Sequence, residues 1–391
     1  MKSTKKSFLK LSACLLPVIF LFISANSFSQ NNDIMLSSYW DFYSNNYLSS
    51  QSSARGFAGI AAENDLSGTI LNPATLTIQK KWHIYGEYTY KSNMQWLRYY
   101  SSENDVKQYH PSLSAGAGYK FNNYFSAGLM YYVGNSHMFS YEYIRTNEFG
   151  DPLGTYNFYD KASISTLSMP LVFNYKNIVK AGLSLNYSFF HRATGPMTSI
   201  TDPEGTNGDY AEVNFQKFYP QAGIVINPVK QWSIGFVFKP EFREKVIWKF
   251  PNGTESANRD ENIFPMHIGA GTKVSIEKIH LNLYADYNYY NTSVEEKMKD
   301  RHNINAGAEY LYDKNLTLKA GFFTMPDNRN FNLTGIYWVD PEGKYAQYFI
   351  TAGASYSFKN VILNLAYMDS RLLSSGSINQ SLLNAGVGWN F

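Results

Sequence analysis

Side chains able to do chemistry are sparse in this chain. Seven His are spread over 391 residues. His267 and His280 fall on neighbouring strand-like runs, but no third ligand at metal spacing accompanies them, so no metal is expected. No Gly-x-Ser-x-Gly elbow occurs, and Cys14 is the single cysteine. The residues point to no enzyme and to no cofactor. What remains is binding chemistry. Arg192, Lys239 and Arg243 lie near the ends of strand-like runs, where a cation could meet a ligand carboxylate by a charge-assisted contact or stand as a solvated loop charge. Glu309 and Lys319 flank the turn Asp313-Lys314-Asn315 symmetrically, which predicts that they face each other as an ion pair in a strand-paired wall. Asp286 shares a face with Asn282 and Asn288 and reads as part of a polar network.

The elements that would hold these groups are strands. From Trp82 onward the chain reads as one strand to about Tyr99, then six hairpins and a last strand, Ser381–Phe391: 14 in all. The hairpins span 111–133, 169–190, 219–239, 265–290, 303–324 and 347–368, with turn residues such as Asn122-Asn123, Lys176-Asn177 and Lys359-Asn360. Alternation is strict in several runs. Leu281, Leu283, Ala285, Tyr287 and Tyr289 oppose Asn282, Tyr284, Asp286 and Asn288; Leu383, Ala385, Val387, Trp389 and Phe391 oppose Asn384, Gly386, Gly388 and Asn390. An Ala-Gly pair recurs at 115–116, 222–223, 270–271, 306–307, 352–353 and 385–386, a weak internal repeat.

Composition says which face is which. Aromatic residues make up 17% and charged residues only 17% of the chain, against about 25% charged in soluble domains. No stretch after the N-terminus approaches the ~20 apolar residues of a spanning helix. An apolar outer face and a small, polar inner face fit a transmembrane barrel, closed so that no strand edge meets lipid. Short and long connections alternate, the long ones running near 100–110, 134–168, 191–217, 240–264, 291–302, 325–346 and 369–380. Aromatic pairs at strand ends (Tyr99 and Tyr100, Tyr131 and Tyr132, Phe189 and Phe190, Tyr289 and Tyr290) read as the interfacial girdle.

Residues 1–29 read as a secretory signal, with Lys2, Lys5, Lys6 and Lys10 before an apolar core from Leu11 to Ile23. Leu11-Ser12-Ala13-Cys14 has the form of a lipoprotein cleavage box, but the apolar core follows the Cys instead of preceding it. Removing the four Lys takes the net charge from +3 to −1, so no basic excess points to nucleic acid. Export and a β-barrel together predict the outer membrane of a Gram-negative cell, where loop cations could also grip lipopolysaccharide phosphates. A closed ring needs no second copy, and a monomer is expected.

Residues 30–79 precede the barrel, 80–391. Their core, Ser53 to Leu76, is rich in Ala and Gly, and Asn72 before Pro73 is pushed out of the helical region. Such a segment suits packing inside something else. Its apolar residues Met35, Leu36, Trp40, Phe42, Phe57 and Ile60 have no lipid to face and are the candidates for a pocket lining.

The stretch ARGFAGIAAENDLSGTILNPATL, the count of 14 strands and the C-terminal Phe391 together resemble the FadL/OmpP1/TodX family of outer-membrane transporters for hydrophobic compounds. The stretch is similar to that family's hatch, which ends in Asn-Pro-Ala, here Asn72-Pro73-Ala74, followed by Thr75 where the family often has Gly. The resemblance implies a hatch gated around Gly56, Gly59, Asn72, Pro73 and Ala74. It also implies passive uptake of a long-chain fatty acid or similar molecule, with release sideways into the bilayer through a strand defect. Secretion-system barrels of PorV type look similar too; on that reading the barrel holds an exported protein and carries no small ligand. A plain structural plug is the third reading.

Overall fold

The computed structural model describes residues 47–62, 65–92, 94–96, 104–107, 110–146, 149, 151–197, 209–247, 249, 255, 260–294, 298–328, 346–374 and 380–391. The signal, Met35, Leu36, Trp40 and Phe42, and the girdle candidates Tyr99 and Tyr100 lie outside them.

Sixteen described strands share one antiparallel sheet. Fourteen form a ring: β1 (Trp82–Lys91), β2 (Ser112–Lys120), β3 (Phe125–Thr146), β4 (Pro152–Tyr175), β5 (Val179–Met197), β6 (Asp209–Val229), β7 (Trp232–Lys239), β8 (His267–Ile276), β9 (Leu281–Tyr290), β10 (Arg301–Leu311), β11 (Leu316–Met325), β12 (Gln347–Phe358), β13 (Val361–Asp369) and β14 (Ser381–Asn390). Each pairs with the next, and β14 pairs with β1 from His83↔Asn390 to Lys91↔Leu382, which closes the wall. Backbone bonds between Trp82 and Phe391 seal that seam at its end. The short strands Met94–Trp96 and Asn104–Lys107 extend the edge of β3 beyond β2. No described helix is long and apolar enough to cross a membrane.

Alternation has the expected sense. On β5, Leu183, Tyr187 and Phe189 are exposed while Ser184, Asn186 and Ser188 are buried toward the lumen. Trp82, Trp232, Trp389 and Phe391 are exposed beside the short turns, where amphipathic rings suit a membrane interface.

Three expectations change. The first strand ends at Lys91, not near Tyr99. The connections placed at 134–168 and 191–217 are largely strand: β3 continues to Thr146, β4 begins at Pro152, β5 continues to Met197 and β6 begins at Asp209. Those runs lack clean alternation because a strand that has left the bilayer no longer needs one lipid face. The girdle pairs also cannot both point outward, since neighbours in a strand face opposite ways. Tyr131 and Phe189 are exposed, whereas Phe190 is buried and Tyr132 and Tyr290 face the lumen.

Candidate functional site: a cavity above a seated plug

Residues 47–62 and 65–78 run inside the ring. Their local structure is set by capping side chains. Ser49 caps the single-turn helix α1 (Ser50–Ser53), Asp65 caps the 3-10 turn Leu66–Ile70, and Asn72 caps the 3-10 turn Pro73–Thr75 by accepting from the Ala74 N–H. Pro73 fits the first position of that turn because the N–H it lacks would have no partner there. Asn72 also donates to the carbonyl of Ile60 at 2.7 Å and to that of Phe236 on β7 at 3.3 Å. One side chain therefore shapes the turn, ties the plug to itself and reaches the wall.

The recurrent Gly of the Ala-Gly pairs has its reason here. A Cβ at Gly307 or Gly321 would fall on the backbone of Arg55, one at Gly182 on Pro73 and Ala74, and one at Gly353 on the Leu365 carbonyl of the neighbouring strand and on the Ala54 side chain. The bare inner face of these strands lets the plug backbone lie directly against them. Gly56 itself has φ +67 and sits against the backbone of Phe322, a place that only Gly fills without strain.

Three wall carboxylates grip the plug. Glu87 on β1 accepts from the N–H groups of Ser49 and Ser50 at 2.6 and 2.5 Å. Asp286 on β9 accepts from Gly59 and Ile60 at 2.6 and 2.8 Å. Glu309 on β10 holds Arg55 at 2.7 Å. Glu309 does pair with Lys319 in register, and their charges lie 3.2 Å apart; the expected wall ion pair is thus one part of a triad that includes the plug. The expected Asp286 network with Asn282 and Asn288 is replaced by a bond to the plug backbone. Arg55 and Glu87 are not among the residues that the sequence pattern singles out. Glu87 had a signal: it is the one acid on β1, on the same face as His83, Tyr85 and Thr89.

Above the plug lies a cavity of about 310 Å³. Phe57 and Ile60 line it together with Tyr47 and Leu71, and wall rings of Tyr132, Tyr219 and Phe323 line it too. Tyr47, Phe57 and Phe323 form a ring cluster with centroids 5.2–5.7 Å apart. One register row crosses four adjacent strand ends: Lys239 pairs with His267, His267 with Tyr290, and Tyr290 with Arg301. All four line the cavity. The Lys239 ammonium stands 4.8 Å from the Tyr219 ring and the Arg301 guanidinium 4.1 Å from the Tyr290 ring, which holds both cations over aromatic faces. Among the described residues no Asp or Glu lines the cavity.

The other sequence candidates divide. Arg192 is buried on β5 but does not line the cavity, and Arg243 bonds Glu241 at 2.7 Å outside it. Arg301 and Lys239 are the described cations that line it. His267 and His280 sit at opposite ends of β8, one in the cavity row and one in the turn after Ile279. Among the described residues no group of His, Cys, Asp and Glu could hold a metal.

No protein-family model matches the chain, and no curated protein matches it. Solved structures do. A FadL homologue of Pseudomonas aeruginosa superimposes with TM-score 0.62 at 14% identity, over 88% of this chain and 98% of that one. The toluene transporter TodX of Pseudomonas putida gives TM-score 0.60 at 14% identity, over 88% and 98%. The monoaromatic hydrocarbon channel CymD gives 0.59 at 14% identity, over 88% and 97%. The chain therefore has the fold of the FadL and TodX barrels.

Proposed function

We propose that this protein is an outer-membrane channel for passive uptake of hydrophobic molecules that carry an anionic head, with residues 30–79 as the hatch. The observation that carries this is the cavity above the plug: aromatic and apolar side chains of plug and wall line it together with several amides, Lys239 and Arg301 add two cations, and among the described residues no carboxylate lines it. Its volume falls at the lower end of the range of about 300–1,000 Å³ usual for small-molecule sites. A fatty acid would lay its chain on Phe57, Ile60 and Tyr132 and its carboxylate on the cationic row.

Lateral release is best supported at the β3–β4 seam. Pairing passes from Ala127↔Leu171 to Met130↔Ser168 with no paired residue between, where Pro170 has no N–H to give. The register itself shifts between Val133 and Asn135. Gly134 and Asn135, at that bulge, line the cavity. A ligand there is one strand's thickness from the bilayer.

Native mass spectrometry of the detergent-purified protein with added oleate tests the reading. Bound oleate that falls about tenfold in the Lys239→Gln/Arg301→Gln variant supports it, the size expected when charge-assisted contacts are lost. A barrel that takes up no oleate, and instead keeps a protein through mild washing, points to the anchoring function.

A further inference from the structure

The outward surface of β4, β5 and β6 changes character within one register row. On β4 the exposed Leu171, Met169 and Leu167 give way to Ser165 and Ser163; on β5 Tyr187 and Phe189 give way to His191; on β6 Phe218 gives way to Gln216 and Asn214. These changes are aligned. Leu167 pairs with Tyr187 and Tyr187 with Phe218, while Ser163 pairs with His191 and His191 with Asn214. From Tyr175 to Leu167 the outward apolar stretch runs about 26 Å along the strand, close to the roughly 25 Å apolar band of such barrels, less the tilt. The row Ser163–His191–Asn214 therefore stands at the level of lipid head groups, at the end away from the short turns. Lys161 and Glu212 follow one row further out.

At that level a second cavity, of about 560 Å³, opens between His110, Ser163, Ser165, His191, Asn214 and Gln216. Ser163 and Ser165 leave the depth, since longer side chains there would fill it. His110 comes from the segment before β2, and its N–H donates to Ser136 Oγ at 2.5 Å. The His191 Nδ1 and Asn214 Oδ1 are 2.7 Å apart. Burial, and then the nearby His191, hold the His110 imidazole below its usual range; an anion between the two rings would relieve that repulsion. Hydroxyls, amides and imidazoles line the cavity together with the rings of Phe189, Phe190 and Phe215, and among the described residues no carboxylate does.

We propose that this groove binds the phosphate-bearing head group of a membrane lipid, whose acyl chains lie down the Leu167, Tyr187 and Phe218 row. The chemistry fits a lipid head group and its chains: hydroxyl, amide and imidazole groups converge on a pocket that Phe189, Phe190 and Phe215 also line, and the apolar band continues from its lower edge. The groove is on the far side of the wall from the luminal cavity. The inference rests on the outward face meeting lipid, and not on transport.

The test uses the full-length protein in detergent micelles with bisphosphorylated lipid A, and separately with its dephosphorylated form, read by native mass spectrometry. Wild type is expected to keep the phosphorylated lipid through washing about tenfold better than the dephosphorylated one. The His110→Ala/His191→Ala variant should lose about that factor. Ser163→Leu, which fills the groove without adding or removing charge, should lose it as well. Heat-modifiable gel migration confirms that each barrel is folded. Equal retention of both lipids by wild type would mean that the acyl chains alone adhere, and overturns the proposal. Undiminished retention by Ser163→Leu overturns it too, and stands even if the double variant fails to fold. Oleate binding in the lumen should be unchanged in these variants, so a failed transport reading leaves this measurement intact.

Discussion

Glu309 Oε1 lies 2.7 Å from Arg55 Nη1, two residues 254 positions apart in the chain. Lys319 Nζ stands 3.2 Å from the same oxygen, and the Tyr284 hydroxyl donates to the other oxygen at 2.5 Å. Arg55 also lies over the Tyr284 ring, 4.9 Å from its centroid. The carboxylate is shared between the wall and the plug, so it couples the shape of one to the seating of the other. Removing one partner of such a buried set leaves charge uncompensated, at a cost of roughly 3–5 kcal/mol.

Glu309→Gln is accordingly expected to unseat the plug without abolishing the barrel. Planar-bilayer recordings should show current bursts absent from wild type. Arg55→Gln should give the same phenotype, and the double variant should be less than additive, with a coupling of about 0.5–3 kcal/mol in thermal unfolding. Full additivity would mean that the contact does not hold the plug.

Asp286→Ala removes the acceptor for two plug N–H groups, Gly59 and Ile60. Hydrogen bonds to a charged group contribute about 1.5–3 kcal/mol each. Small polar solutes should leak through liposomes carrying this variant and not through those carrying Asp286→Glu if the longer acid keeps the bond. Deleting residues 53–76 sets the upper limit of the leak.

The glycine surface separates wall from plug in a cleaner way. Gly321→Val places a side chain on the Arg55 and Gly56 backbone, while Gly86, which has nothing within 4 Å of an added Cβ, is the control. Gly321→Val should give a folded, heat-modifiable barrel whose N-terminal segment is open to protease; Gly86→Ala should match wild type. Equal protection in both would sink the account of the inward glycines.

Deletion of Gly134 should straighten β3 and restore its pairing with β4. Oleate binding is then expected to survive while uptake into cells falls about tenfold or more, the split expected when a route is closed and a site is kept. A variant that still transports would exclude the β3–β4 seam as the exit.

Much of this molecule was readable from local pattern. Period-2 alternation follows from strand geometry and lipid on one side, so the 14 strands, their faces and their tight turns follow from short runs of residues. The Asp313–Asn315 turn even set the Glu309–Lys319 pairing, because a hairpin's register is decided by its own loop. The Ser53–Leu76 stretch announced a packed insert by its small residues, and its Asn72-Pro73 break set a turn through capping that needs no partner.

Only the closed tertiary structure decided the rest. Arg55 meets Glu309, and the inward glycines meet the plug backbone, across sequence separations that no local period spans. The cationic row of Lys239, His267, Tyr290 and Arg301 exists because successive hairpins align to the residue; Arg243, four positions from Lys239, falls outside it. The inward turn of Tyr132 and Tyr290, and the change of register beyond Gly134, depend on which face each strand presents once the ring has closed. A side chain's neighbours along a strand are set by covalent geometry, but its neighbours across the lumen are set by closure, and the proposed binding chemistry of this protein lies across the lumen.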